Sequence, residues 1–476
     1  MTVTSSDVAL SDVVVTGAGR VLVDVPDVRL GRGRPLTVVG ESGSGKSLLA
    51  HALMGTLAPE LAVRGRLRLD GRDLDLADRA GRRGLWGRTL ALLPQEPVLA
   101  LDPTMRVGEQ VAEGAATWRR DRRGARTAAA RLLGELGLQA ETRAYPHTLS
   151  GGMAQRVAFA AATLGGADVL IADEPSKGLD TASRDELAGL LRRHVDRGGV
   201  LLTITHDLDL ARDLGGDVLV MKDASVLEHA PVGEVLSRPQ HPYTQRLLAA
   251  EPARWAAPWQ RPGPPQPGPV LLQGTGLTKA LGGKPLFADL DLTIRSGQRL
   301  ALSGPSGSGK TTLGNVLLRL LAPDRGRVEH GAALQGGRVQ KLYQDPAQAF
   351  PARVALARAL SDVVRRHGCD PARVEALLAA LRLDRSLLER RPGQVSGGEL
   401  QRVAIVRAVL LDPALLFADE PTSRLDLITQ QETVDCLMGQ VDDTGSALVL
   451  VTHDEALAAA VSDETLRLAG PRSAAG

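Results

Sequence analysis

A chain of 476 residues is too long for one hydrophobic core and suits two domains of about 200 to 250 residues each. Hydrophobic residues make up 43% of the chain and charged residues 24%, which excludes a chain that is disordered outside short segments. The 57 Lys and Arg residues nearly balance the 55 Asp and Glu residues, so the net charge of +2 gives no reason to expect direct nucleic-acid binding.

Neither the cysteines nor the apolar residues indicate an exported or membrane-spanning protein. Cys369 and Cys436 stand far apart and outside any Cys/His cluster, which argues against a disulfide framework, a zinc site and an iron–sulfur cluster. The opening residues MTVTSSDVAL contain no basic segment followed by an apolar stretch, and no run of about eighteen apolar residues occurs. We therefore expect a protein of the reducing cytoplasm.

Short apolar runs alternate with helical patterns in the first half of the chain. PLTVV, VLIA and VLLTI are such runs, and SLLAHALMG is a helical stretch between them. Continuous apolar runs of this length predict buried parallel strands in an α/β sheet. The carboxyl ends of such strands are the edge at which open α/β sheets bind their ligands.

A glycine-rich loop with a lysine follows the first of these runs. GESGSGKS at 40–47 fits the pattern G-x-x-x-x-G-K-[ST] between a strand and a helix, which is the context of a P-loop. Backbone N–H groups there surround phosphate oxygens, Lys46 adds a positive charge, and the Ser47 hydroxyl is a predicted Mg²⁺ ligand. A flexible glycine turn is the alternative for a single match. The predicted nucleotide-binding residues are Gly40, Ser42, Gly43, Ser44, Gly45, Lys46, Ser47 and Leu48.

Two weaker signals come next along the chain. Gln95 follows the run LALLP and is predicted to sense Mg²⁺ and the attacking water, with a polar turn residue as the alternative. The segment from Trp118 to Arg126 (WRRDRRGAR) is rich in arginine, but acidic residues surround it. We expect a solvated helix face there rather than a nucleic-acid patch.

A Ser-Gly-Gly turn and three residues at strand ends complete the predicted site residues of the first half of the chain. Ser150, Gly151 and Gly152 precede the helical stretch MAQRVAFAAATL, so a hydroxyl and backbone N–H groups at a helix start form a predicted anion site.

Asp173 ends the VLIA strand, which places its carboxylate beside the Mg²⁺ of the P-loop. Glu174 is the predicted water-orienting residue or general base for attack on the γ-phosphate, although acidic pairs also occur in surface turns. His206 ends the VLLTI strand and is predicted to contact the γ-phosphate, with a buried structural histidine as the alternative.

All of these landmarks return in the same order in the second half of the chain, which indicates a tandem duplication. Separations between matching landmarks are nearly constant, except that the second copy is shorter between its lysine and its glutamine. The predicted residues are Gly304, Ser306, Gly307, Ser308, Gly309, Lys310, Thr311 and Thr312 for nucleotide, Ser396, Gly397 and Gly398 for the second turn, Asp419, Thr311 and Gln344 for metal, and Glu420 and His453 for catalysis.

The duplication explains why each copy carries an anion site beyond its own P-loop. A single copy already has one phosphate cradle, so the Ser-Gly-Gly turn is best explained if it serves the nucleotide of the other copy. Between the copies, residues 252–269 are dense in Pro and Gly, which predicts an extended tether. We expect a first domain at 1–251, this linker at 252–269, and a second domain at 270–476.

Together these motifs resemble those of ATP-binding cassette (ABC) ATPases. Each half is similar to that family in its Walker A loop, Q-loop, LSGGQ-type signature, Walker B strand, D-loop (176–180 and 422–426) and H-loop. The resemblance implies two P-loop domains, each with a mainly parallel core sheet, an antiparallel β arm and a helical subdomain, that bind ATP and Mg²⁺. It also implies an intramolecular pseudo-dimer in which the P-loop of one half faces the signature of the other.

Two further segments resemble the fused ATPase subunits of peptide, oligopeptide and nickel importers. These are LDPTMRVGEQVAE at 101–113, and RPQHPYTQRLLAAEP at 238–252, for which a plain surface helix is the alternative. The resemblance implies an ATPase at the cytoplasmic face of the membrane, two permease subunits from other chains, and a separate substrate-binding protein. The rival hypotheses are a soluble tandem ATPase that acts on ribosomes or nucleic-acid assemblies, and an exporter ATPase. The cargo is not specified by this chain.

The sequence departs from the family pattern at a few positions. Thr16 and Ala280 stand where the family usually stacks adenine on an aromatic residue, which leaves the base contacts open. The second signature reads VSGGE, and the first has MAQ after its glycines. Lys177 occupies the first D-loop where a small or hydroxyl residue is commoner, which favours two unequal ATP sites.

Overall fold

A computed structural model of the protein describes residues 8–255, 259, 268–336, 338–423 and 425–469. The chain divides into two compact units, Met1–Leu248 and Ala249–Gly476. Within the described residues, no helix is both long enough and apolar enough to cross a membrane.

The first unit is built on one large mixed sheet. Its strands are β1 (Val8–Gly17), β2 (Arg20–Val25), β3 (Val28–Leu30), β4 (Leu36–Val39), β5 (Ala62–Leu69), β6 (Arg72–Asp75), β7 (Leu90–Leu93), β8 (Val169–Asp173), β9 (Val200–Ile204), β10 (Asp217–Lys222) and β11 (Ser225–Pro231). Strands β10, β4, β9, β8 and β7 are neighbours in that order, and all their pairings are parallel. Antiparallel strands β1, β2, β3, β5 and β6 extend the sheet as the predicted arm.

Helices cover the parallel strands of the first unit. They are α1 (Lys46–Met54), α2 (Arg79–Arg82), α3 (Pro97–Ala100), α4 (Val107–Glu113), α5 (Arg122–Glu135), α6 (Gly151–Thr163), α7 (Thr181–Asp196), α8 (Leu208–Leu214), α9 (Val232–Ser237) and α10 (Pro242–Ala249). Every residue of β4, β8 and β9 is buried, as expected for strands covered on both faces. This explains why their sequences are continuous apolar runs, and it confirms the predicted α/β fold.

The arginine-rich segment lies partly on α5 and is engaged within the first unit. Arg126 donates from Nε to Oε1 of Glu109 on α4, at 2.9 Å. The guanidinium carbons of Arg122 and Arg126 lie 5.2 and 5.9 Å from the ring centroid of Trp118. A helix is confirmed there from Arg122 onward, where Arg126 contacts both a carboxylate and the indole ring and Arg122 contacts the indole ring alone.

The second unit repeats the parallel core with a separate antiparallel sheet. Its strands are β12 (Val270–Leu281), β13 (Lys284–Arg295), β14 (Arg299–Ser303), β15 (Arg325–His330), β16 (Val339–Leu342), β17 (Leu415–Asp419), β18 (Ala447–Val451) and β19 (Glu464–Arg467). Its helices are α11 (Lys310–Leu317), α12 (Leu356–His367), α13 (Pro371–Ala380), α14 (Gly397–Val409), α15 (Leu427–Thr444) and α16 (Glu455–Val461).

These strands form two sheets. The parallel sheet has the order β16-β17-β18-β14-β19, and the antiparallel sheet has the order β13-β12-β15. Strands β14, β17 and β18 are fully buried, like their counterparts in the first unit. The two copies therefore share the same parallel core, and the loop with the lysine follows β4 in the first unit and β14 in the second.

The start of the Pro-rich segment differs from the extended tether expected there. Trp255 and Trp259 pack against the core of the second unit that contains α12 to α16. Trp259 donates from Nε1 to Oδ1 of Asp435 at 3.1 Å, and its carbonyl accepts from Nη1 of Arg299 at 2.5 Å. Arg299 is 1% exposed and also pairs with Asp442. The indole rings bury apolar area on this unit, while 256–258 and 260–267 lie outside the described residues.

Candidate active site

The glycine-rich loops join a buried strand to a helix in both units. Gly45 and Gly309 precede α1 and α11 with φ of 98° and 93°, in the left-handed region that favours glycine. A Cβ on Gly45 would lie 2.3 Å from the carbonyl oxygen of Leu22, so a larger residue does not fit. Leu48 and Thr312 lie in the first turns of α1 and α11. The N–H groups of a first turn have no carbonyl partner within their own helix. The loop shape thus depends on glycine and presents several N–H donors to a phosphate.

Each loop lysine is buried and held over its own loop. Lys46 donates from Nζ to the carbonyl oxygens of Gly40 and Glu41, at 2.7 and 2.6 Å. Lys310 makes the matching contacts with Gly304 and Pro305, at 2.7 and 2.9 Å. These carbonyls position the positive charge above the loop, where phosphate oxygens bind in a P-loop.

A hydroxyl and a carboxylate meet beside each lysine. Ser47 donates from Oγ to Oδ1 of Asp173 at 2.9 Å, and Thr311 donates from Oγ1 to Oδ1 of Asp419, also at 2.9 Å. Burial raises the pKa of both aspartates, although the hydroxyl of Ser47 works against this for Asp173. The structure therefore brings together the hydroxyl and aspartate predicted for each site from sequence.

The glutamates that follow these aspartates adopt a backbone conformation unusual for their residue type. Glu174 and Glu420 have φ of 46° and 45°. Their backbone N–H groups donate to the carbonyls of Ile204 and Val451, at 2.7 and 3.0 Å. The neighbouring strand thus holds each glutamate in the left-handed region, and such strain is concentrated at functional sites.

Each glutamate faces the predicted histidine of its own unit. Nδ1 of His206 lies 2.8 Å from Oε2 of Glu174, and Nδ1 of His453 lies 3.6 Å from Oε1 of Glu420. Burial lowers the pKa of His206, but the Glu174 carboxylate outweighs this and leaves that pKa above its ordinary value. The nearby Glu420 carboxylate raises the pKa of His453. Burial opposes ionisation of both glutamates, yet the histidines hold their pKa values below the ordinary range.

The two predicted glutamines follow β7 and β16, at the same sheet edge as the other residues. In the second unit, Gln344 donates from Nε2 to Oε2 of Glu420 at 2.8 Å. In the first unit, Gln95 lies two residues after the end of β7. The parallel strands thus collect lysine, aspartate, glutamate, histidine and glutamine at one edge of each unit.

The Ser-Gly-Gly turns begin helices, and their serines are exposed. Ser150 and Ser396 are the N-cap residues of α6 and α14, where their hydroxyls accept from the N–H groups of Met153 and Glu399 at 3.3 Å. Within the described residues, no hydrogen bond links either serine to the lysine loop of its own unit. The predicted helix starts are present at both turns, and no hydrogen bond among the described residues attaches their serines to their own P-loops.

Two residues at these sites were missed by sequence reasoning. The N–H of Glu41, inside the first loop, donates to Oη of Tyr243 on α10 at 3.0 Å. Lys341 on β16 lies with Nζ 3.4 Å from Oδ2 of Asp419. Both carry a sequence signal. Tyr243 belongs to the HPYT segment (241–244) within the importer-like stretch 238–252, and Lys341 is a charged residue directly before Leu342 in a strand.

The residues present fit a magnesium nucleotide. Among the described residues, no cluster of three or more His, Cys, Asp or Glu suits a metal ion. One hydroxyl and one carboxylate are instead available at each loop, which suits Mg²⁺ because it takes its remaining ligands from phosphates and water. In the second loop, Oγ of Ser308 is buried without a hydrogen-bond partner in the described part of the chain, as expected for a group that faces a ligand.

Comparisons with known proteins agree with this arrangement. The family model described as "ABC transporter" matches residues 23–177 and 287–423, which is more than half of the chain. The peptidoglycan transport ATP-binding protein YejF of Agrobacterium fabrum is 32% identical over 94% of this chain and 88% of its own length. The glutathione import ATP-binding protein GsiA of Pectobacterium atrosepticum is 34% identical over 90% of this chain and 79% of its own length.

Solved structures share the tandem fold. An RNase-L inhibitor superposes with a TM-score of 0.66 at 23% identity, covering 95% of this chain and 87% of its own. An archaeal ribosome recycling factor, solved with a ribosomal stalk protein, gives the same TM-score and identity over 96% and 87% of the two chains. Since these identities are low, the likeness concerns the fold alone. With its duplicated lysine, aspartate, glutamate and histidine sites and its matches over most of its length, the chain belongs to the ABC transporter family of ATP-binding proteins and is an ATPase.

Proposed function

We propose that this protein is the ATPase subunit of an importer for peptide-like compounds. The observation that supports this most is that two complete sets of site residues occur in a chain that aligns over at least 90% of its length with transport and import proteins. Those relatives are named for peptidoglycan transport and glutathione import, and both cargoes contain peptides. Peptide-like cargo is therefore favoured over nickel.

Each site contains the groups that ATP hydrolysis requires. Lys46 and Lys310 bind phosphate oxygens, and Ser47 with Asp173, or Thr311 with Asp419, hold Mg²⁺ together with Gln95 or Gln344. When bound, Mg²⁺ neutralises charge on the β- and γ-phosphates.

The catalytic groups lie beside these phosphate and metal ligands. Glu174 and Glu420 orient the attacking water and accept its proton, while His206 and His453 keep these carboxylates ionised and reach toward the γ-phosphate. Both sites are therefore proposed to hydrolyse ATP.

The two ATP sites are proposed to be shared between the halves. Lys46, Asp173, Glu174 and His206 act on one ATP together with Ser396. Lys310, Asp419, Glu420 and His453 act on the other together with Ser150. The exposed position of both serines, away from the hydrogen bonds of their own P-loops, supports this exchange.

Transport further requires partners that this chain does not contain. We propose two integral-membrane permease subunits, a position at the cytoplasmic face of the membrane, and a separate binding protein that delivers the cargo. Because an ABC ATPase converts ATP binding into movement of attached subunits, the permeases should respond to the state of both sites. A ribosome-associated tandem ATPase is the competing function, since the archaeal ribosome recycling factor shares the fold of this chain.

Purification of the tagged chain from its own organism distinguishes these functions. We expect it to copurify with two integral-membrane proteins, and these should support ATP-dependent uptake of a peptide into proteoliposomes when the binding protein is added. A Lys46→Ala, Lys310→Ala double variant is the matched control, since it retains the surface of the chain but lacks both phosphate-binding charges. Copurification with ribosomal particles, and no uptake, would reject the importer.

A further inference from the structure

We propose that Lys341 makes the second ATP site the weaker divalent-cation site of the two, an inference that rests on the Mg²⁺ sites proposed above. The difference lies in a side chain that contacts the metal-binding aspartate of one unit only. It would give this fused ATPase two unequal sites although each contains the complete set of motif residues.

The ammonium group of Lys341 forms an ion pair with the carboxylate of Asp419. Nζ of Lys341 lies 3.4 Å from Oδ2 of Asp419, whose other oxygen accepts from Thr311. The two side chains are only 10% and 5% exposed. This ion pair is therefore largely shielded from water. In such a buried position a charge acts on its neighbours more strongly than it does on the surface.

Three further groups hold this ammonium in place. Lys341 donates from Nζ to Oδ1 of Asn315 on α11 at 2.8 Å. Nζ also lies 5.2 Å from the ring centroid of Tyr343 and 5.6 Å from that of Phe417, within the range of cation–π attraction. A carboxylate, an amide and two rings together form a defined binding place for this positive charge.

The first unit has no charged residue at the matching position. In β7, Leu92 pairs with Ile171, two residues before Asp173. In β16, Lys341 pairs with Phe417, two residues before Asp419, so the two positions have the same register.

The groups around Lys341 are also absent from the matching positions of the first unit. The residue that matches Asn315, counted from the loop lysine, is His51, and Pro94 stands where the second copy has Tyr343. The complete surroundings of Lys341 are thus specific to the second unit.

A positive charge in this place opposes the binding of a second cation. The ammonium neutralises part of the Asp419 charge and repels a divalent ion beside the same carboxylate. Groups around a metal ligand commonly change metal affinity by about 10–100-fold. We therefore expect weaker metal binding in the second site and slower hydrolysis there.

The test measures Mn²⁺ binding separately at each site. Mn²⁺ is titrated by electron paramagnetic resonance with a saturating non-hydrolysable ATP analogue, in a Lys46→Ala background for the second site and a Lys310→Ala background for the first. In the Lys46→Ala background, Lys341→Leu should tighten Mn²⁺ binding about tenfold. In the Lys310→Ala background, Leu92→Lys should weaken it by a similar factor.

Two controls separate the local charge from general effects. Arg327→Leu removes a positive charge from the antiparallel sheet of the same unit and should leave Mn²⁺ affinity unchanged. Lys341→Met retains the alkyl length and should act like Lys341→Leu, and thermal unfolding reports whether each variant is folded.

The possible results are distinct. Unchanged or weaker Mn²⁺ binding in both folded Lys341 variants would overturn the inference while the proposed metal sites stand. Absence of nucleotide-dependent Mn²⁺ binding in both backgrounds would overturn the proposed metal sites themselves, and the inference with them.

Discussion

Glu174 and Glu420 show how a single residue can be fixed by its neighbours in a conformation that it does not prefer. A left-handed backbone costs a residue with a Cβ about 1–2 kcal/mol. Here the backbone hydrogen bonds to Ile204 and Val451 and the contacts with His206 and His453 oppose that cost. The carboxylates are thereby set at the edge where the P-loop lies, in a fixed direction.

The glutamates can be tested by removing only their charge. Glu174→Gln and Glu420→Gln should each strongly lower turnover at the affected site, and the double variant should lower total ATPase activity about 100-fold or more, because the amide cannot accept a proton. ATP binding should persist, since Lys46 and Lys310 are unchanged. Steady-state hydrolysis and equilibrium binding of a fluorescent ATP analogue measure the two effects.

Glutamate-to-glutamine substitutions outside the sites show whether loss of a negative charge affects the chain in general. Glu135→Gln and Glu375→Gln change exposed glutamates on α5 and α13. These controls should retain normal ATPase activity. Unchanged hydrolysis in the double Glu174→Gln, Glu420→Gln variant would contradict the assigned base.

At the scale of an element, helix α10, which comes late in the first unit, contacts the first glycine-rich loop. Tyr243 is 7% exposed, its hydroxyl accepts from the N–H of Glu41, and Nζ of Lys222 lies 4.9 Å from its ring centroid. The approach to this helix is also fixed, because Glu228 accepts from the N–H groups of Gln240 and His241. The HPYT segment therefore supports the loop and is more than a surface helix.

Tyr243→Phe removes this hydroxyl but keeps the ring. We expect weaker ATP binding at the first site, by about threefold to tenfold, because the loop N–H loses an acceptor worth roughly 0.5–1.5 kcal/mol. Binding is measured by titration in the Lys310→Ala background, where only the first lysine loop is intact. The same substitution in the Lys46→Ala background serves as the control and should leave the second site unaffected. Equal effects in both backgrounds would contradict a role in the first loop.

The signature helices differ in their first turn. Ser396 forms a capping box, in which Oε2 of Glu399 accepts from the N–H and the hydroxyl of the serine at 2.8 and 2.9 Å. Met153 stands in place of Glu399 in the first unit and cannot do this. The departure VSGGE thus places a carboxylate on the signature serine of one half only.

The sequence predicted those parts of the fold and site that local pattern determines. Buried strands such as β8 and β17 are continuous apolar runs, and the P-loop residues have a fixed spacing, so both could be recognised. Lys341 and Tyr243 act through contacts between distant segments, 78 and 202 residues apart in sequence. Those contacts depend on sheet register and helix docking, which no local pattern contains. The docking of Trp259 was missed for the same reason.

At the scale of the whole molecule, the proposed exchange of signatures predicts that a substitution in one half affects hydrolysis at the lysine loop of the other. Gly151 and Gly397 have space for a side chain, since a Cβ on either would meet at most one atom near van der Waals distance. A carboxylate added there is therefore expected to act by repelling phosphate rather than by preventing folding.

Gly397→Asp should strongly reduce hydrolysis at the first lysine loop, by about 100-fold, because the added carboxylate repels the phosphate that this turn is proposed to bind. Single-turnover hydrolysis in the Lys310→Ala background measures this. Gly151→Asp in the same background is the matched control and should have little effect. The opposite pattern would show that each half uses its own signature.

The packing of Trp255 and Trp259 also decides how the protein can be divided into separately produced fragments. A C-terminal fragment that starts at β12 would lack both indoles and would expose the apolar surface and the buried guanidinium of Arg299 that they help to cover. A fragment that starts at Ala250 retains these contacts and the hydrogen bond from Trp255 to the Ala250 carbonyl. Cloning boundaries for biophysical work on the second half should therefore lie upstream of the proline-rich stretch.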